Sequence, residues 1–125
     1  MRFQSDAQRR AMFAKMKGDA YLMTHRKPGQ KGHTHLKIAW DGQKTVKSFV
    51  VPKLLPDEGE KHLAVYLGRY PKGRALSKGQ RKTGEVVTKK RIGRVIKEGK
   101  GKYRLPDDTW MLKMGEKKYL LTNPD

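Results

Sequence analysis

Cysteine is absent from the chain, which excludes disulfides, thiolate-held zinc, iron–sulfur clusters and a thiol nucleophile. Any metal must then rest on His, Asp or Glu. Long apolar runs are missing too. No stretch approaches the roughly 18 apolar residues of a membrane-spanning helix, and the opening "MRFQSDAQRRAMFAKMKGD" has no apolar segment of the secretory kind. A cytoplasmic protein with no membrane partner is expected. Acidic residues are scarce, with 12 Asp and Glu against 30 Lys and Arg in 125 residues, leaving a formal charge of +18. Solubility alone needs about 2 to 8 charges, so the excess favours a polyanionic partner, nucleic acid by default.

What is present organises into short segments. A length of 125 residues suits a single domain, expected to act as a monomer. "SDAQRRAMFAKMKG" reads as a helix over residues 5–18, with Ser5 and Gln8 forming a capping box and Gly18 as its stop. Arg9 and Arg10 are left to face solvent or phosphate. After it the period becomes alternating. "AYLMTHR" is a strand closed by Pro28-Gly29, which suit the centre of a type II turn. In "HTHLKIAW", His33, His35, Lys37 and Ala39 share one face, while Thr34, Leu36, Ile38 and Trp40 share the face expected in the core. Asp41-Gly42 makes a hairpin turn into "KTVKSFVV". "PDEGE" is a loop, and "HLAVYL" carries an alternating Leu63, Val65, Leu67 face. The polar stretch "RYPKGRALSKGQRKTG" reads as a functional loop. Further strands are expected at "EVVTK", "RIGRVIK", "KYRL", "TWMLKM" and "KKYLLT". The whole predicts an all-β protein, a small barrel or sandwich of about eight strands over 19–125, with one short helix over 1–18.

Two observations carry chemistry. Alternate residues of a strand share a face, so His33 and His35 can converge on one ion, and His25 before the turn could add a third imidazole. Three neutral imidazoles suit Zn, Mn or Fe; solvated histidines on a basic face are the alternative. His62 reads as an exposed strand position. Secondly, Lys72, Lys78, Arg81, Lys82, Lys89, Lys90, Arg91 and Arg94 belong to a run of cations between Lys72 and Lys102 that contains only Glu85 and Glu98 as acids. Such one-sided charge is what contact with a phosphate backbone requires. Tyr66, Tyr70 and Tyr103 are placed to stack on unpaired bases or to pack in the core.

The ordered segments "YLMTH", "HTHLKIAWDG", "KSFVVPK", "KHLAV" and "RYP" resemble, in order and at nearly the same spacing, the 3′-phosphoesterase domain of bacterial DNA ligase D, found also as a stand-alone protein in some archaea. "GQRKTGEVV" and the ending "KKYLLTNPD" are similar to later parts of the same pattern, so the resemblance spans most of the chain from Tyr21 onward. It implies a β-barrel, a divalent ion such as Mn²⁺ (or Zn²⁺), and hydrolysis of a 3′-terminal phosphoester on DNA ends, or on RNA. The family's metal-binding histidines fall on His25 and His33, and its metal-binding Asp on His35. A phosphate-binding Arg falls on Lys37, a histidine on Tyr70 and a tyrosine on Arg74, so Lys37, Tyr70 and Arg74 are the implied catalytic set. The family's N-terminal arm has no counterpart here; "SDAQRRAMFA" instead looks like a short motif of phage and mobile-element proteins. A non-catalytic nucleic-acid-binding protein on the same fold is the alternative, and a metal-free accessory protein a third.

Overall fold

The computed structural model describes residues 15–52 and 56–124. Nine strands succeed one another: β1 (Lys17–Arg26), β2 (His33–Trp40), β3 (Thr45–Val51), β4 (Lys61–Pro71), β5 (Gly79–Gln80), β6 (Val86–Gly99), β7 (Lys102–Arg104), β8 (Trp110–Lys113) and β9 (Lys118–Thr122), with one helical turn, Lys72–Ala75, after β4. Eight of them form an antiparallel barrel in the order β1-β2-β3-β4-β9-β8-β7-β6, closed by pairing of β6 with β1. The short β5 adds to the outer edge of β6 at Val86 and Val87. Among the described residues no helix is long and apolar enough to cross a membrane.

The hairpins follow from their turn residues. Gly29 and Gly42 have φ of 72° and 78°, where a side chain is disfavoured. Their turns are closed by Gln30 N–H donating to Lys27 O at 3.1 Å and Gln43 N–H to Trp40 O at 3.2 Å. With β1, β2 and β3 thus set side by side, His25 lies opposite His33, and Lys37 opposite Ser48. Leu36, Ile38 and Trp40 point inward as their alternation predicts, joined by Ala20 and Leu22 from β1 and by Phe49 and Val51 from β3. Val95, Tyr103, Met111, Tyr119 and Leu121 complete the interior from the far wall. Each barrel strand gives alternate residues to one core, as closure requires.

Several expectations change. Most of the predicted helix, with Arg9 and Arg10, lies outside the described residues. Its expected end does not: Lys17 and Gly18 already belong to β1. Gly18 is needed there for close approach, since a Cβ would sit 2.4 Å from the Ala39 carbonyl oxygen. "EVVTK" and "RIGRVIK" are one strand, β6, whose pairing with β1 shifts register between Ala20 and Tyr21. Leu63, Val65 and Leu67 face outward at 63%, 45% and 41% exposure, because Ala64 and Tyr66 take the inward positions of β4. The polar stretch after β4 is only partly loop, containing the helical turn and β5. His62 is shielded rather than exposed, its side chain 10% accessible, with Nε2 3.8 Å from Glu60 Oε1.

Arg91 and Arg94 are not free cations. Arg91 donates to Asp19 Oδ1 at 2.8 Å, and Arg94 bridges Asp19 at 3.0 Å and Asp41 at 2.5 Å. Hydrogen bonds from these guanidiniums hold the Asp19 carboxyl below the usual carboxylate range. A depressed carboxylate contributes stability that is present above its unfolded pKa, 3.8, and lost as pH falls through the lower folded value. Asp19→Asn is therefore expected to flatten the loss of stability between neutral pH and about pH 3, by at most about 1 kcal/mol for so exposed a cluster. Urea unfolding at the two pH values checks it; an unchanged difference would remove the pairing from the account.

Candidate metal centre

The histidines stand on the outer wall of the barrel, and alternation puts them there. Ala20 and Leu22 point into the core, so Tyr21, Met23 and His25 of β1 point out, beside Lys37, His35 and His33 of β2 in register. The rings of His25, His33 and His35 lie 4.7 to 4.9 Å apart, centroid to centroid, with His25 and His33 stacked at an interplanar angle of 1°. One ligand atom from each falls within 4.8 Å of the others. His25 and His35 are half-buried and His33 is exposed at the rim.

Three features fit this cluster to a divalent cation. His25 Nε2 and His35 Nδ1 are buried nitrogens with no hydrogen-bond partner, a costly state unless a lone pair is given to something else. Glu85 Oε1 lies 3.5 Å from His25 Nδ1; an acceptor there favours the proton on Nδ1 and leaves Nε2 free, the usual orienting contact of a metal-bound imidazole. Both half-buried imidazoles are held neutral, as a ligand must be. Burial pushes His35 down to about 4, with the Lys37 charge adding to it, and burial likewise lowers His25 against the pull of Glu85.

Beside the histidines a cavity of about 320 Å³ is lined by His25, His35, Lys37, Leu67, Tyr70, Arg74, Ala75, Ser77 and Arg81. Its floor is the β1–β4 wall, and the segment after β4 forms its far side. Lys37 is 7% exposed, and burial lowers its pKa. Its ammonium donates to Ser48 Oγ and lies 5.5 Å from the Tyr70 ring centroid. Arg81 donates to Ser77 O at 3.0 Å and Ser77 Oγ at 2.9 Å, which fixes its guanidinium against the cavity. Arg74, on the helical turn, is exposed.

The residues singled out in the sequence thus divide. His25, His33 and His35 come together, and Lys37, Tyr70 and Arg74 line the adjoining cavity. Lys72, Lys78, Lys82 and Lys89 are exposed, with Lys89 5.6 Å from the Tyr21 ring centroid. Lys90 turns away from Lys89 and Arg91, because adjacent strand residues face opposite sides, and lines a second cavity with Asp57, Glu58 and Asp107. Tyr103 is core and Tyr66 packs against it, so only Tyr70 of the three tyrosines stands at the site. Glu85 and Ser48 carry contacts that nothing in their local sequence announces, since both arise from pairing of distant segments. In the sequence Arg81 is one of a general run of cations, and its hold on Ser77 is what sets it against the cavity.

Fold and cluster together define a class: a small closed β-barrel with a three-histidine site and a cationic cavity on its outer wall. No family model matches the chain, and no curated protein matches it.

Proposed function

We propose that the protein is a divalent-metal-dependent phosphoesterase acting at nucleic-acid 3′ ends, DNA first and RNA second. The carrying observation is that three imidazoles with two orphaned nitrogens adjoin a cavity lined by Lys37, Arg74 and Arg81. Ligands for a cation and groups for a phosphate therefore sit together. A Mn²⁺ or Zn²⁺ ion on His25, His33 and His35 would supply Lewis-acid polarisation of a phosphoryl oxygen and lower the pKa of a water. Lys37, held by Ser48, presents a fixed ammonium to the phosphate from the cavity floor. Arg81 adds a pre-oriented guanidinium, Arg74 a more mobile one, and Tyr70 a hydroxyl donor. The exposed Lys72, Lys78, Lys82 and Lys89 would follow the strand backbone without reading its bases. The choice of a 3′ end rests on the resemblance of the strand and turn segments.

One observation favours binding without hydrolysis: once the histidines serve as ligands, no carboxylate or further imidazole among the described residues lines the cavity to move a proton. The two readings separate with oligonucleotides carrying a 3′-phosphate or a 3′-ribonucleotide, assayed with Mn²⁺. Under the enzymatic reading, Lys37→Ala and Arg74→Ala lower turnover by about 100-fold or more while strand binding changes only a few-fold. Proportional loss of both, or no turnover by the unaltered protein, would leave the binding-only reading.

A further inference from the structure

We infer that one open end of the barrel is an anion-binding mouth for phosphate groups, built from Lys47, Arg69, Lys97 and Lys113 and separate from the histidine site. The topology collects them. Antiparallel strands bring the start of β3 and the ends of β4, β6 and β8 to the same end of the barrel, and each strand places one cation there. Register turns them inward. Lys47 lies opposite both Ile38, a core residue, and Arg69; Lys97 lies opposite Tyr103, and Lys113 opposite Tyr119, both core tyrosines. Directly opposed residues share a face, so the four cations sit on the inner face at this end, beyond the aromatic core, Lys47 and Lys97 half-buried and Arg69 and Lys113 exposed at the rim.

Acids near this end of the barrel are already engaged by other cations: Asp19 and Asp41 hold Arg91 and Arg94, and Glu98 holds Lys15 at 2.8 Å. At the mouth, none of the four cations forms an ion pair among the described residues. The crowding has a visible effect on Lys47, which burial pushes down and the charges of Arg69, Lys97 and Lys113 push down further. A multiply charged oxyanion relieves that repulsion. Three flexible ammonium groups and one planar guanidinium suit the several oxygens of a phosphate or polyphosphate better than a single carboxylate. None of the four lines the cavity beside the histidines, so the site is additional to it.

Titration calorimetry of the full metal-free chain with sodium tripolyphosphate, at constant ionic strength, tests the mouth. Lys47→Gln and Lys113→Gln are each expected to weaken binding about tenfold, the loss of one charge-assisted contact, while His35→Ala leaves it unchanged. Equal affinity in all three variants, or a loss confined to His35→Ala, would overturn the inference. Should Lys47→Gln fail to fold, the rim position Lys113 decides alone. A free phosphate and a strand phosphate share this chemistry, and a competing oligonucleotide without terminal phosphates separates the two. Displacement of tripolyphosphate from the unaltered protein, but not further in Lys113→Gln, assigns backbone phosphates; failure to displace assigns a free polyphosphate.

Discussion

Replacing His35 with alanine is expected to weaken Mn²⁺ and Zn²⁺ binding by more than about 100-fold, exceeding the 10- to 100-fold typical of residues that only orient a ligand. The three rings form a nearly equilateral triangle, His35 lying 4.7 Å from His25 and 4.9 Å from His33, centroid to centroid, with 4.9 Å between the other two. His35 also contributes one of the trio's two orphaned nitrogens, the third such nitrogen of the described residues being His62 Nδ1. Two remaining imidazoles cannot close a three-ligand site. The metal-free variant should nevertheless fold, because the ring lies on the outer wall and its removal deletes a buried nitrogen without a partner. Calorimetry with each ion, beside a circular-dichroism melt of the metal-free forms, separates loss of the site from loss of the fold. Affinity kept within a few-fold would show that His35 is not a ligand.

The largest effect on stability is expected from Phe49→Ala. Phe49 is 1% exposed and contacts Tyr66 and Tyr119 at 5.2 and 5.0 Å between ring centroids. It therefore ties β3 to β4 and, across the interior, to β9. Deleting a buried phenyl costs about 3 to 5 kcal/mol through lost transfer energy and the cavity left behind. For a domain of this size that lowers the melting temperature by roughly 10 to 20 °C. The metal site should suffer only through unfolding, since Phe49 faces inward and the histidines outward. A melting temperature within about 3 °C of the unaltered protein would mean that the interior can collapse onto the vacancy.

Local pattern made much of this fold legible. Pro28-Gly29 and Asp41-Gly42 marked their turns, and the alternation of "HTHLKIAW" set the phase of β2, so the outward trio could be read before its distances were known. What escaped was set by pairing between distant segments. Closure of β6 on β1 joins residues some 70 apart and creates the Asp19 contacts of Arg91 and Arg94 and the Glu85 contact of His25. On β4 the alternation of Leu63, Val65 and Leu67 was legible but not which way it faces: pairing with β3 and β9 turns Ala64 and Tyr66 inward and leaves the larger aliphatic set outside. The convergence of Lys47, Arg69, Lys97 and Lys113 is likewise invisible until four strand ends are known to meet.

The central claim is that the outer-wall histidines hold a divalent ion. It is tested most directly by titrating Mn²⁺ into the protein and following the side-chain imidazole signals by NMR. The account predicts early, simultaneous broadening of His25, His33 and His35, while His62, on β4 beside Glu60, stays sharp. Equal broadening of all four, or none below millimolar ion, would contradict it.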